Sequence, residues 1–173
     1  MSQSDRAKKA AWLPQVREIA WGLSVRDLIG LGRLPFGPIQ KNDMHVEAAI
    51  IKMELTAFSD RIATQLSGGE QARALIARAL AQDTPILMAD EPTASLDPAN
   101  QISTLKTFSE LAEAGKGIIA SIHDLGLAAR YCTKLALLDR GKLVAFGSAD
   151  AVLTPDNLRT VFSIEAHYEK TKE

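Results

Sequence analysis

The sequence predicts an α/β fold in which a parallel sheet carries an attached helical subdomain. Residues 86–89 and 117–122 are short apolar runs bounded by proline or glycine, which is typical of strands buried in a parallel sheet. Between and before them lie longer stretches with apolar residues at helical spacing, several of them preceded by a serine or aspartate that can cap a helix. The chain therefore alternates strands with helices.

The composition is that of an ordinary globular domain. The 173 residues are enough for one domain with a sizeable core, and hydrophobic residues make up 46% against 24% charged residues. The net charge is -1 with acidic and basic residues interleaved, which argues against a nucleic-acid surface. The single cysteine, Cys132, excludes an internal disulfide and fits a reducing compartment. No apolar run approaches the length of a membrane span.

The strand predicted at residues 86–89 ends in two adjacent carboxylates, Asp90 and Glu91. Pro92 follows them and favours extended backbone at Glu91, which predicts both acids at the carboxyl end of the strand and on opposite sides of its pleat. Open α/β sheets bind ligands at that edge. Asp90 is suited to hold Mg²⁺ and Glu91 to polarise an attacking water, although the pair alone equally fits a strand that ends at a solvated turn.

A glycine-rich segment precedes the two acids. Ser67 and Glu70 have the spacing of a capping box, which predicts a helix start. Gly68 and Gly69 lie between them, and glycines at a helix start expose backbone N–H groups at the positive end of the helix dipole. The segment alone is compatible with an ordinary helix start or with a phosphate-binding site.

Two further polar residues follow strands or turns downstream. Asp97 and Pro98 have the pattern of an N-cap and first position of another helix. His123 follows the apolar run 117–122, and its imidazole can donate a hydrogen bond to a phosphate. The sequence alone is also compatible with a purely structural role for each of these two residues, as a cap.

In their order and spacing, these segments resemble the signature loop, Walker B strand, D-loop and switch histidine of the ATP-binding cassette (ABC) ATPases. The resemblance implies that Asp90 holds Mg²⁺, that Glu91 is the catalytic base and that His123 senses the γ-phosphate. Gln15, after the strand predicted to end at residue 13, is similar to the Q-loop glutamine that contacts Mg²⁺ and the attacking water. The residues implied to contact ATP held by a second subunit are Ser67, Gly68, Gly69, Glu70, Gln71 and Asp97.

The run Gly32-Arg33-Leu34-Pro35 resembles the ATPases of importers for iron-siderophore complexes, haem and vitamin B12. For such a protein the resemblance implies ATP as substrate, Mg²⁺ as cofactor and a second ATPase subunit as dimer partner. It also implies a transmembrane permease and, indirectly, a substrate-binding protein as partners, and no nucleic acid. The expected location is cytoplasmic, on the inner face of the cell membrane.

No G-x-x-x-x-G-K-S/T motif occurs in the 173 residues. In the family this P-loop precedes the Q-loop, together with an antiparallel β lobe, so we expect a partial P-loop NTPase fold without either. The expected divisions of this truncated ABC ATPase domain are a helical subdomain at 20–80, the remaining catalytic core at 81–163 and a polar tail at 164–173. We further expect exposed sheet faces or edges and no ATP hydrolysis by the chain alone.

An alternative interpretation is a non-catalytic remnant or accessory chain that docks on a permease or on a partner ATPase. It would keep the helical subdomain and lend its signature loop to a complete partner. A third interpretation, a chromosome-maintenance or repair ABC ATPase, lacks support because the sequence has neither a long coiled-coil insertion nor a basic surface.

Overall fold

The computed structural model describes residues 2–15, 18–19, 21–40 and 42–165. The chain divides into two compact units, residues 1–122 and 123–173. In the first unit the helices are α1 (Gln3–Ala7), α2 (Val25–Gly30), α3 (Met44–Lys52), α4 (Gly68–Ala81) and α5 (Pro98–Glu113), and the strands are β1 (Ala10–Leu13), β2 (Ile86–Ala89) and β3 (Gly117–Ala120). In the second they are α6 (Leu125–Tyr131), α7 (Ala149–Val152), α8 (Pro155–Phe162), β4 (Leu135–Asp139) and β5 (Lys142–Gly147).

The first unit is built on a parallel three-stranded sheet in the order β1-β2-β3. Leu13, Ala89 and Ala120 are aligned at the carboxyl ends of the three strands. The ladder continues one residue further, because the Asp90 N–H donates to the Leu13 carbonyl at 2.8 Å and the Ser121 N–H donates to the Ala89 carbonyl at 3.0 Å. The predicted α/β fold with a parallel sheet is confirmed, and the residues after the strands leave the sheet at one edge.

One face of this sheet forms the core with the helices of the first unit. Leu13 on β1 and Leu87 on β2 are buried, as are Ile29 on α2, Ile50 on α3 and Ile76 on α4. Helices α2 to α5 contribute their apolar faces, in line with the periodicity of the sequence, whereas α1 has no buried residue. Short 3₁₀ turns at residues 31–36, 56–58 and 63–65 connect these helices.

The opposite face of the sheet is exposed. Trp12, Met88 and Ile119 stand side by side in the strand register, and they are 53%, 37% and 60% exposed. The expectation of an exposed sheet face is confirmed, and the prediction that the 86–89 strand is buried on both faces is wrong for this structure. A continuous apolar run carries no alternation that would distinguish one-sided from two-sided burial.

The second unit contains an antiparallel hairpin of β4 and β5 with helices α7 and α8. Arg140 and Gly141 form its turn with φ of 46° and 76°, the left-handed geometry of a tight hairpin turn. Leu137, Val152 and Leu158 form a small buried cluster in this unit. The subdomain boundaries expected at residues 20, 80 and 163 stay predictions. No helix in the described part of the chain is both long and apolar enough to cross a membrane.

Candidate functional site

A single hydroxyl joins the ends of β2 and β3. The Ser121 hydroxyl donates to Oδ1 of Asp90 at 2.6 Å and accepts the backbone N–H of Glu91 at 2.8 Å. Ser121 directly follows β3, while Asp90 and Glu91 directly follow β2. The hydroxyl therefore fixes one Asp90 carboxylate oxygen and the backbone at Glu91, and leaves the other Asp90 oxygen available to a ligand.

The backbone at Glu91 differs from the sequence prediction. Its φ is +46°, in the left-handed region, and its carbonyl accepts the Ala94 N–H at 3.1 Å in a tight turn. The extended geometry expected before Pro92 is wrong, because these two hydrogen bonds at Glu91 outweigh the steric preference of a residue before proline. A glutamate held with positive φ is strained, and such strain is concentrated at functional sites.

The glycine-rich segment starts a helix, as predicted. The Ser67 hydroxyl accepts the Glu70 N–H at 3.4 Å, and the Glu70 carboxylate accepts the Ser67 N–H at 2.8 Å, which completes a capping box. The Ser67 N–H holds the pKa of the Glu70 carboxyl below its usual range. The Gln71 side chain donates to the Leu66 carbonyl at 2.9 Å and braces the loop before the helix.

Gly68 and Gly69 have open space on the side where a side chain would stand. A Cβ atom at either position would have nothing within 4 Å. The capping box uses the Glu70 N–H, and the Gln71 N–H donates to the Ser67 carbonyl at 2.9 Å, so the N–H groups of Gly68 and Gly69 are left at this helix end without a partner among the described residues. The segment can therefore accept an anion from outside the chain.

The turn that carries Asp97 is connected to the glycine-rich helix. Asp97 caps α5 by accepting the Asn100 N–H at 3.0 Å, and this bond holds the pKa of Asp97 below its usual range. The Asn100 side chain donates to Asp97 and accepts Nη1 of Arg73, on α4, at 2.6 Å. The segments around Ser67 and Asp97 are thus tied through Arg73 and Asn100.

Comparison with known proteins identifies the family. A family model for ABC transporters matches residues 1–94, more than half of the chain. The chain belongs to the ABC transporter ATPase family. It is 39% identical to the haemin import ATP-binding protein HmuV of Pseudomonas putida, over 96% of this chain and 69% of that protein. It is 40% identical to the cobalamin import ATP-binding protein BtuD of Halobacterium salinarum, over 94% of this chain and 42% of that protein.

Solved structures of ABC proteins have the same fold. A structure of a metal-chelate type ABC transporter in an inward-facing conformation superimposes with a TM-score of 0.80 at 28% identity, covering 94% of this chain and 69% of that chain. The dimeric structure of the bacterial ABC transporter cassette MJ0796 superimposes with a TM-score of 0.73 at 25% identity, covering 84% of this chain and 65% of that one. The predicted partial P-loop NTPase fold is confirmed.

Gln15 and His123, the remaining predicted site residues, follow the strands β1 and β3. Gln15 is exposed and lies two residues beyond the end of β1. Glu91 likewise lies two residues beyond the end of β2, so both residues follow strands at the carboxyl edge of the sheet. His123 is exposed and is the first residue of the second unit, three residues after β3. Their roles at a γ-phosphate stay predictions, as do those of the other ABC site residues.

The Gly32-Arg33 pair of the importer-like motif has a structural explanation. A Cβ atom at Gly32 would lie 2.2 Å from the Arg78 carbonyl oxygen, so only glycine lets this turn approach α4 so closely. Next to it, Nη1 of Arg33 donates to the Ala81 and Gln82 carbonyls at 3.1 and 3.2 Å and satisfies the carboxyl end of α4. The pair fixes the helix whose other end carries the glycine-rich segment.

Sequence reasoning missed Ser121, Arg73 and Asn100 as parts of the site. A serine after a strand and an asparagine in the first turn of a helix are common in proteins, so their residue types give little signal. Asp97 and Asn100 are three residues apart, which is the spacing between a helix N-cap and the backbone N–H that it accepts. This spacing would have indicated the contact between Asp97 and Asn100.

The described residues fit a magnesium site that is completed by phosphate. No cluster of three or more histidine, cysteine or acidic side chains among them could hold a metal by itself. Mg²⁺ in nucleotide sites is typically held by one or two carboxylates together with phosphate oxygens and water. Asp90, whose second carboxylate oxygen is not bonded by Ser121, is suited to this role.

Proposed function

We propose that this chain acts in ATP hydrolysis as the ATPase subunit of an ABC importer for haem, cobalamin or another metal chelate, iron-siderophore complexes included. The observation that carries the chemistry is the Ser121 bridge, which fixes Asp90 and the Glu91 backbone together at the ligand-binding edge of the sheet. The substrate class is supported by the identities to haemin and cobalamin import proteins.

In this proposal Glu91 orients the attacking water and takes its proton. The strained turn and the Ser121 hydroxyl, which accepts the Glu91 N–H, hold the Glu91 backbone in one position at this edge of the sheet. Asp90 and Gln15 hold Mg²⁺, which neutralises phosphate charge when bound. His123 donates a hydrogen bond to the γ-phosphate.

The signature segment acts on the nucleotide of a second subunit. Ser67 and Glu70 satisfy each other, so the N–H groups of Gly68 and Gly69 are the donors offered to a γ-phosphate. Asp97, tied to the same helix through Asn100 and Arg73, lies on the same dimer surface in this proposal. Its partners are a second ATPase subunit and a transmembrane permease, with a substrate-binding protein acting on the permease. The assembly works at the cytoplasmic face of the membrane.

The decisive experiment joins residues 1–173 to an upstream lobe that contains a P-loop, such as that of a haemin-import relative. We expect Mg²⁺-dependent ATP hydrolysis by the fusion, and its loss in the Glu91→Gln variant. The matched control is Glu113→Gln, which removes an exposed carboxylate from the end of α5. A fusion that binds ATP and whose hydrolysis does not depend on Glu91 contradicts the proposed mechanism.

The alternative is a non-catalytic accessory chain that lends its signature segment to a complete ATPase. The free Gly68 and Gly69 amides favour it as much as they favour a catalytic subunit. It predicts that the fusion stays inactive, while residues 1–173 stimulate a complete partner ATPase in a manner that depends on Ser67.

A further inference from the structure

A cavity lies in the first unit at the end of the sheet away from the acidic pair. It has a volume of about 150 Å³, and its apolar wall comes from α3, α4, β2 and α5. The wall residues are Ala48, Ala49, Ala79, Leu80, Leu87 and Leu111. An engineered cavity of about this volume, lined by apolar side chains, accommodates benzene. The wall can therefore take one aromatic ring or a short aliphatic chain.

The position of the cavity separates it from the nucleotide edge. Thr84 and Lys116, which also line it, precede β2 and β3, whereas Asp90 and Ser121 follow these strands. The strands are parallel and have four residues each, so the two edges are about 13 Å apart. A molecule in the cavity would not occupy the position of a phosphate at Asp90.

Basic side chains from two segments, α3 and the turn before β3, converge on the apolar wall. His45, Lys52 and Lys116 line the cavity, and Asp83 is the one acidic residue among its described lining residues. Lys116 Nζ donates to Asp83 at 2.7 Å and to the Thr84 carbonyl at 3.0 Å, which leaves one of its three N–H donors. Asp83 also faces Nδ1 of His45 at 3.3 Å.

The charge balance of the lining favours an anion. Among the described lining residues, Lys52 and Lys116 against Asp83 leave one positive charge even with a neutral imidazole at His45, and Glu110, which pairs with Lys52, lies outside the lining. Lys52 donates to Glu110 at 2.9 Å, and both side chains are partly exposed, so a ligand can displace this pair at low cost. An amine in the same place would lie against two lysines.

We propose that this cavity binds a small monocarboxylate with one apolar ring or short chain. The apolar group lies among the alanines and leucines of the wall, and the carboxylate accepts hydrogen bonds from Lys116 and Lys52. The site lies between the helices α3 and α4 on one side and α5 on the other. It is independent of the proposed ATPase function.

The test is a titration of the 173-residue chain with benzoate, benzyl alcohol and benzylamine, which share the ring and differ in the polar group. Binding is followed by NMR shifts of the alanine and leucine methyl groups. We expect saturable shifts at Ala79 and Leu87 with benzoate, and at least about tenfold weaker binding of the alcohol and the amine.

Variants of the chain assign the two lysines. Lys52→Met and Lys116→Met are each expected to weaken benzoate binding about tenfold, whereas Lys106→Met, an exposed lysine on α5 outside the cavity, leaves it unchanged. If Lys116→Met perturbs folding because the Lys116–Asp83 pair is lost, the Lys52→Met variant still tests the proposal. The proposal is overturned by any one of these results: no saturation with benzoate, equal binding of benzyl alcohol, tighter binding of benzylamine, or full benzoate affinity in Lys52→Met.

Discussion

Ser121 donates its hydroxyl to the carboxylate of Asp90 at 2.6 Å, across the carboxyl ends of two neighbouring parallel strands. The same oxygen accepts the N–H of Glu91. One small side chain therefore fixes the position of the proposed metal ligand and the turn that carries the proposed base. Neither acid could be held this way by its own strand, because β2 ends immediately before them.

Ser121→Ala is expected to lower the free energy of unfolding by about 1 kcal/mol, since it removes two hydrogen bonds from a partly solvated site. Urea denaturation measures the change. The control is Ser103→Ala, an exposed serine on α5, which should change stability by only a few tenths of a kcal/mol because alanine is the better helix former. Equal stabilities for wild type and Ser121→Ala would mean that the bridge contributes nothing in solution.

Gly32→Ala is expected to destabilise the first unit by about 2 kcal/mol, because its methyl group would overlap the Arg78 carbonyl oxygen. That oxygen belongs to the backbone of α4 and cannot rotate away. The control is Gly22→Ala, where a Cβ atom meets nothing within 4 Å. Thermal and urea unfolding of the two variants should therefore differ clearly, and similar losses in both would contradict the close approach.

Thr104→Val is expected to stabilise the protein by about 1 kcal/mol. Thr104 is 1% exposed in α5, and its hydroxyl has no hydrogen-bond partner among the described residues. Valine keeps the shape and removes the desolvated polar atom. Thr104→Ser keeps the hydroxyl and loses the methyl, so it should destabilise by about 1 kcal/mol. A Val variant less stable than wild type would show that the hydroxyl is bonded, for instance to buried water.

The stability of the first unit should depend on acid pH through Asp83. The hydrogen bond from Lys116 is the main cause that holds the pKa of Asp83 below its usual range, against an opposing effect of burial. Because the folded-state pKa is depressed, the stabilisation is complete above the unfolded value of about 3.9 and is lost as the pH falls through the folded value.

Urea denaturation at several pH values tests this dependence. The stability difference between wild type and Lys116→Met should be constant near neutral pH and shrink in acid. Asp83→Asn, which cannot titrate, should remove the acid-dependent part. A difference that persists unchanged below the unfolded pKa would mean that Lys116 acts through the Thr84 carbonyl alone.

The sequence predicted the elements whose signals are local. Capping patterns at Ser67 and Asp97 each mark a helix start in the structure, and the cap bond in each case spans three residues. Local hydrogen bonds leave residue types at fixed intervals, which a single sequence shows.

Contacts between distant segments were not predictable in this way. Ser121 lies 31 residues from Asp90, and Arg73 lies 27 residues from Asn100. The Glu91 N–H donates to the same Ser121 hydroxyl, and this distant contact helps to hold the left-handed backbone at Glu91, so a rule based on Pro92 alone predicted the wrong geometry. One-sided burial of β2 likewise depends on which helices pack against the sheet, and the strand itself does not encode this.

The assignment of the signature segment to a neighbouring subunit can be tested by mixing variants of the P-loop-containing fusion. Ser67→Arg places a long charged side chain in front of the open Gly68 and Gly69 amides, and Glu91→Gln removes the base. Each variant alone should be inactive, because in a symmetric dimer both sites carry the defect. If the signature acts across the dimer, a mixture of the two variants contains heterodimers with one intact site.

We therefore expect the mixture to recover part of the ATPase activity that neither variant shows. The control is a fusion with both substitutions, mixed with wild type. If Ser67 acts in trans, each of the two sites in a heterodimer of the double variant and wild type receives one defect, so neither site is intact. If Ser67 acts within its own chain, both defects fall in one site and the other site stays intact. Ser67 makes its hydrogen bonds to Glu70 and Gln71, and the adjacent glycines have open space on their Cβ side, which favours the trans arrangement. No recovery in the variant mixture, with higher activity in the control, would place the signature segment over its own Glu91.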